Sequence, residues 1–303
     1  MGMMIPSTRD AAMDTVSDRS AEAPHVAAYR RDGYVVVRGV FGRADIAALA
    51  QAFDRQYAEG LRLGRSWRHG NRCYRVADDP AAGRIVPMVQ WAAYSDPVLE
   101  RYRTDARILA ILAPLLGRDL KQIINQCHWK APGAAAGDFN YHQDVRFRRP
   151  RDAFRELAAS YIQTGIAVDA HVRLNGAMRV APGSHRLGEI PVLGEGAVLG
   201  AGRGDAPLAA AGIDPSALVD LELAPGDVAF WHPFTVHGSG PNRGTDLRRF
   251  YLNSYVRADA CDRGEWAFRA GDPVPLGQPR LVHYEALYTR PEPHYLDTVP
   301  PAD

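Results

Sequence analysis

Apolar residues recur at helical spacing between Arg43 and Tyr57, where Ile46, Leu49, Ala50 and Phe53 share one face. A second helical pattern covers Pro97 to Leu116, with Leu99, Tyr102, Ile108, Ile111 and Leu115 on its apolar side. Ahead of both, Ala27 to Phe41 reads as a helix end, a turn at Asp32-Gly33 and a β-branched strand from Tyr34 to Val37. The front third is therefore mixed and helix-weighted. From Leu120 onward the pattern changes to short extended runs separated by Gly, Pro, Asn and Asp. These are Lys121–Lys130, Phe139–Phe147, Tyr161–Ala170, Ala177–Val180, Asp227–Trp231, Thr235–His237 and Arg249–Val256. Many short strands with turn signals predict an antiparallel sandwich or barrel, an α+β or mainly β fold with helices packed against it.

Two irregular stretches interrupt the strands, one near 146–158 (RFRRPRDAFR at its start) and a Gly- and Ala-rich one at 187–216. Loops of that length in a compact domain read as lids or inserts. Residues 1–24 carry no basic-then-apolar leader and are expected to be a disordered tail, with one domain over 25–303.

Composition narrows the classes. The chain has 303 residues, 46% of them hydrophobic, and a formal net charge of +1, which gives no reason to expect nucleic acid or a membrane as partner. No apolar run approaches the roughly 20 residues of a membrane span. Cys73, Cys127 and Cys261 are odd in number and far apart, as expected of reduced thiols in a cytoplasmic protein. A small-molecule partner is expected, acting on a monomer or homodimer.

The chemistry gathers in FNYHQDVRF. In an extended strand His142 and Asp144, at i and i+2, face the same side, together with Asn140 and Arg146. His237, in GDVAFWHPFTVHGSGPN, completes a two-histidine, one-carboxylate set, which holds a divalent metal on one triangular face and leaves positions open for reaction. Arg248 opens RRFYLNSYV, and period-two parity groups it with Phe250, Leu252 and Val256, while Arg249 groups with Tyr251, Asn253 and Tyr255. Arg248 is thus the inward residue. A buried guanidinium needs an anion, and its planar fork suits a carboxylate.

The ordered set DGYVVVRGVF (32–41), YHQD (141–144), NGAMRVAPGSHR (175–186), GDVAFWH (226–232), HGSGPN (237–242) and Arg248 resembles the phytanoyl-CoA dioxygenase family over about residues 28–258. The resemblance implies a double-stranded β-helix (a jelly-roll, cupin-like core) and a dioxygenase that uses iron(II), 2-oxoglutarate and molecular oxygen. It implies that His142, Asp144 and His237 ligate iron, that Arg248 binds the distal carboxylate of 2-oxoglutarate, and that Ser239 assists. The family's strand before H-x-D has its counterpart at 124–133, which adds Gln126, His128 and Lys130 as co-substrate contacts. Asp144 stands where iron halogenases carry a small residue, which disfavours halogenation.

The substrate side is read as Tyr161 and Gln163 on one strand face, with Arg146 and Trp231. Gly165 stands near a bulky aromatic of some relatives and implies a roomier pocket. The arginines 146, 148, 149 and 151 are expected to form a solvated face, with an anion-attracting lid for a phosphate- or carboxylate-bearing substrate as the alternative. The implied reaction is hydroxylation of a C–H bond in a natural-product, acyl or amino-acid-type metabolite. Desaturation, epimerisation and cyclisation use the same machinery. A cupin-like binding protein without turnover is the alternative of another class, and a zinc hydrolase is disfavoured because nothing resembles H-E-x-x-H.

Overall fold

The computed structural model describes residues 23–135, 138–194, 198, 204–279 and 294–295. Helix α1 (Pro24–Asp32) leads into β1 (Tyr34–Val37) and α2 (Arg43–Leu63), followed by β2 (Trp67–His69), β3 (Arg72–Asp79) and β4 (Gly83–Gln90). Next come α3 (Pro97–Arg103), α4 (Ala106–Leu116), β5 (Leu120–Lys130), β6 (Phe139–His142), β7 (Tyr161–Ala167), β8 (Arg179–Val180) and β9 (Val219–Asp220). The described chain ends through β10 (Val228–Trp231), β11 (His237–Ser239), β12 (Arg248–Arg257), β13 (Glu265–Arg269), β14 (Asp272–Pro273) and β15 (His294–Tyr295).

The strands make two antiparallel sheets. The larger runs β1-β10-β7-β12-β5-β4-β3-β2-β15, with β13 on the free part of the β5 edge, and the smaller runs β6-β11-β8-β9. Alternation along the large sheet divides its residues between two environments. Cys127, Trp129, Ile162, Ile166, Tyr251 and Tyr255 face the helices and pack with Leu49, Phe53, Leu99 and Leu112 in the main apolar core. Phe53 meets Trp129 with ring centroids 5.0 Å apart. The opposite face, with Gln126, His128, Arg248, Phe250 and Leu252, borders a cavity. This is the expected sandwich, with α1 to α4 packed on the outer face of the large sheet.

Three sequence expectations change. The segment expected to continue a helix-weighted front third forms the β2-β3-β4 meander, which extends the large sheet beyond β5. The helix expected over 97–116 is two helices, because Asp105 stops the first and caps the second by accepting from the Arg107 N–H at 2.9 Å. The buried face of α4 is accordingly Ile108, Leu109, Leu112 and Leu116, with Ile111 and Leu115 only partly covered. The strand expected over 139–147 ends at His142, and Asp144–Phe147 is a 3-10 turn. Residues 1–22 of the expected tail lie outside the described residues, and Pro24 already begins α1. The 187–216 insert is described only in part.

Gly33 closes α1 in the left-handed region (φ 77°), at the Asp32-Gly33 turn read from sequence. Gly165 answers a different need. A Cβ there would lie 2.1 Å from Cζ of Phe250, so the space expected above this glycine is filled by that ring. Gly165→Ala is expected to destabilise the fold by about 1–3 kcal/mol through overpacking, and Phe250→Leu added to it should recover most of the loss. Urea unfolding of the two variants checks this. An unchanged midpoint in the single variant would contradict the close packing.

Candidate metal centre and cavity

Strand pairing places the metal-type residues. In the small sheet β6 and β11 pair antiparallel, with His142 directly across from His237. The ring centroids lie 4.3 Å apart. The chain turns immediately after His142, and the turn carries Asp144 Oδ1 to 3.9 Å from His142 Nε2 and Oδ2 to 3.7 Å from His237 Nε2. One ligand atom from each of these buried residues lies within 4.8 Å of the others. The spacing suits a single metal ion. What brings Asp144 round is the turn, rather than strand alternation.

The donors are also oriented. His142 Nδ1 lies 2.7 Å from the Asn140 carbonyl and His237 Nδ1 lies 2.9 Å from the Thr235 carbonyl. Each Nδ1–H is thereby committed to a carbonyl, which assigns the tautomer that leaves Nε2 with its lone pair toward the cluster. Burial and then the neighbouring His237 push His142 down to about 3, so it stays neutral and able to ligate. Burial would raise Asp144, yet the imidazoles, Arg148 and the Trp231 N–H together hold it below the usual carboxylate range. Trp231 Nε1 donates to Asp144 Oδ2 at 2.8 Å. Between the ligands, Gln143 turns away and is fully engaged: its amide donates to the Gly188 and Phe234 carbonyls at 2.8 and 2.7 Å, and its oxygen accepts from the Ile190 N–H at 2.7 Å.

The cluster opens into a cavity of about 670 Å³ between the sheets. At one end sits Arg248, buried, its Nη1 donating to the Gly176 carbonyl and its Nε without a partner. Among the described residues it has no ion pair, and burial pushes it down to about 10. An uncompensated buried guanidinium is costly, so an anion belongs here. Beside it Lys130, which faces Arg248 across the β5–β12 pair, donates to Ser239 Oγ at 2.7 Å and lies 3.7 Å from Asp138. Burial and then Arg248 push Lys130 down to about 7.

Comparison with known proteins follows the same outline. A family model for phytanoyl-CoA dioxygenase (PhyH) matches residues 29–250. The chain belongs to the phytanoyl-CoA dioxygenase family. It is similar to dioxygenase lolE1 of Epichloe uncinata, 27% identical over 76% of this chain and 83% of that one. It is also similar to the epimerase SnoN in complex with Fe3+, alpha ketoglutarate and nogalamycin RO, 25% identical with TM-score 0.55 over 84% of this chain and 95% of that one. EctD from S. alaskensis with 2-oxoglutarate and 5-hydroxyectoine shares the fold, with TM-score 0.62 at 20% identity over 85% of this chain and 89% of that one. This member of the phytanoyl-CoA dioxygenase family is an oxidoreductase that depends on iron(II) and 2-oxoglutarate and uses molecular oxygen. Its fold is the antiparallel core expected from the resemblance.

Other residues expected at the site of this dioxygenase divide. Gln126, His128, Arg146, Gln163, Trp231 and Ser239 line the cavity. Gln126 and His128 are joined at 2.9 Å, and burial, then Arg248, pushes His128 down to about 3. Lys130 and Tyr161 are not on the cavity wall: Lys130 acts through Ser239, and Tyr161 donates to Gln163 Oε1 at 2.8 Å from behind. The solvated arginine face is corrected, since Arg146, Arg148 and Arg149 all border the cavity. Arg149 and Arg151 pair with Glu189 and Arg146 is half-buried, whereas Arg148 is 1% exposed. No periodic signal marks Arg148, because a turn rather than a strand aims it inward. Residues to which the sequence attached no such role, among them Met88, Ile124, Phe139, Phe147, Phe250 and Leu252, also form the wall.

Trp231→Phe keeps an aromatic ring in the wall and removes the donor to Asp144 together with part of the indole. Metal affinity is expected to fall about 10- to 100-fold with the fold intact. Zinc(II) titration against a chromophoric chelator measures it, and wild-type affinity in this variant would show that the hydrogen bond does not position Asp144.

Proposed function

We propose that the chain hydroxylates a C–H bond of a small organic molecule, with His142, Asp144 and His237 as the iron ligands and Arg248 as the anchor of the 2-oxoglutarate distal carboxylate. The observation that carries this reading is the unpaired, buried Arg248 bordering the same cavity as the His-Asp-His cluster. A binding module without turnover has no use for that cation. Iron(II), with 2-oxoglutarate and oxygen, supplies the C–H oxidation, with succinate and carbon dioxide as co-products.

The protein's own groups position and shield. The histidines present Nε2 because their other nitrogens are held by backbone carbonyls. Ser239 accepts from Lys130, which leaves its hydroxyl proton for the co-substrate carboxylate beside Arg248. Gln126 gives its oxygen to His128 and keeps its amide N–H groups for co-substrate oxygens. Ile124, Phe139, Phe250 and Leu252 supply an apolar wall that keeps bulk water from the reacting C–H bond. The near-neutral charge supports an enzyme that works on small molecules rather than on nucleic acid or a membrane surface; among the described residues no helix is long and apolar enough to cross a bilayer. The likeness to an epimerase that carries the same co-substrate keeps one further outcome in view, in which hydrogen abstraction ends without oxygen insertion.

Purified protein given iron(II), 2-oxoglutarate and oxygen is expected to form succinate even without its substrate, and His142→Ala, Asp144→Ala and His237→Ala should each remove that activity. Arg248→Gln should raise KM for 2-oxoglutarate by about 10- to 100-fold with a smaller change in kcat. Succinate formation that survives the ligand substitutions would overturn the assignment. With a substrate in hand, a product heavier by one oxygen atom marks hydroxylation, and an unchanged mass marks epimerisation.

A further inference from the structure

Arg148 is a second buried cation in the cavity, and the co-substrate does not account for it. It is 1% exposed and lines the cavity wall. Its guanidinium carbon lies 4.9 Å from the centroid of the Tyr161 ring. Nε and Nη2 are buried with no hydrogen-bond partner, and none of the described residues gives Nη1 an acceptor or makes an ion pair with Arg148. Stacking on a tyrosine contributes about 1–2 kcal/mol when desolvated, which is less than the several kcal/mol of removing a cation from water. The carboxylate whose charge it reaches, Asp144, is already committed to the metal cluster.

Register separates this cation from Arg248. Gln163 pairs with Trp231 on one side and with Ser254 of β12 on the other, and Tyr161 lies further along, across from Val256. Arg248 to Ser254 is six steps of strand, roughly 20 Å at ~3.4 Å per residue. The cavity therefore has two buried cationic poles, with the metal cluster reached between them through Trp231. At the Arg248 pole, divalent iron, Asp144, the 2-oxoglutarate dianion and Arg248 cancel in formal charge, and Lys130 with Asp138 is neutral as a pair. Of the other arginines on the wall, Arg149 pairs with Glu189 and Arg146 donates to the Leu193 carbonyl, and both reach solvent, whereas Arg148 is buried and left in excess. Next to it, Gln163 gives its oxygen to Tyr161, and its amide nitrogen donates to none of the described residues.

We propose that Arg148 and Gln163 form an oxyanion-binding subsite for the substrate, which is an apolar molecule carrying a carboxylate or phosphate at the end remote from 2-oxoglutarate. This rests on the iron and 2-oxoglutarate reading and adds the substrate class to it. The bidentate fork takes the oxyanion, Gln163 donates to it, and the apolar wall of Ile124, Phe147, Phe250 and Leu252 takes the body of the substrate.

The test uses the full chain loaded with zinc(II) and 2-oxoglutarate, titrated calorimetrically with 3-phenylpropionate, hexanoate and phenyl phosphate and with the uncharged 3-phenylpropionamide, hexanamide and phenol. At least one anion should bind about tenfold or more tightly than its neutral counterpart. Arg148→Gln should abolish that preference, and Arg148→Lys should retain part of it. Affinity for 2-oxoglutarate should stay within about twofold in both variants, with unchanged melting temperatures confirming the fold. The comparison of acids with phenyl phosphate distinguishes carboxylate from phosphate. The proposal is overturned if no anion outbinds its neutral partner, or if Arg148→Gln keeps the preference. Failure of the underlying reading looks different: the wild-type protein would then not bind 2-oxoglutarate at all.

Discussion

The antiparallel pairing of β6 with β11 is the constraint on which the site depends. It sets His142 opposite His237, two residues far apart in sequence, through backbone hydrogen bonds alone. Those bonds are indifferent to side chains, so the ligand pair exists before any metal arrives. The third ligand then needs only a tight turn after the strand. Because His142 is the last residue of β6, Asp144 swings back over the pair instead of running on along the sheet. A strand two residues longer would rely on alternation and could not use the same turn.

The large sheet supplies the complementary half. Its helix-side face is filled with aromatic and branched residues, which fixes the sheet as a plate. Its other face can then carry groups that ordinary cores exclude: His128, Gln126, Gln163 and the inward arginine of β12. Arg249 shows how the sheet treats a cation with no such role, sending it to the other side to meet Asp169 at 2.8 Å and Asp54 at 2.9 Å. Adjacent arginines thus have opposite fates because of parity. One is compensated by the protein, and one waits for a ligand.

That contrast explains what was legible in the sequence. Parity placed Arg248 inward and Arg249 outward correctly, since β12 is a long regular strand and its bulge falls only near Ser254 and Tyr255. The extended runs from β5 to β12 were readable from the turn residues between them, except β9 (Val219–Asp220), which carries no such signal. Parity failed around Asp144 and Arg148, where the backbone leaves the strand and a period of two no longer applies. The β2-β3-β4 meander was hidden because Arg72–Gln90 mixes charges and prolines with its apolar residues and sits next to long helical patterns. The filling of the space over Gly165 by Phe250 depends on a cross-strand neighbour, which no single segment reveals.

Gln143 ties these parts together. Its amide fastens the backbone at Gly188, Ile190 and Phe234 while its two chain neighbours face the metal cluster. The start of the 187–216 insert is therefore anchored to the ligand strand by the residue between the ligands. Further along, the Val198 carbonyl accepts from the Asn140 N–H of the same strand at 2.8 Å, so the described part of the insert is tied to the metal strand at more than one point. For the scaffold, the consequence is that the start of the insert and the oxidising centre are inherited as one piece: a substitution at Gln143 loosens both together.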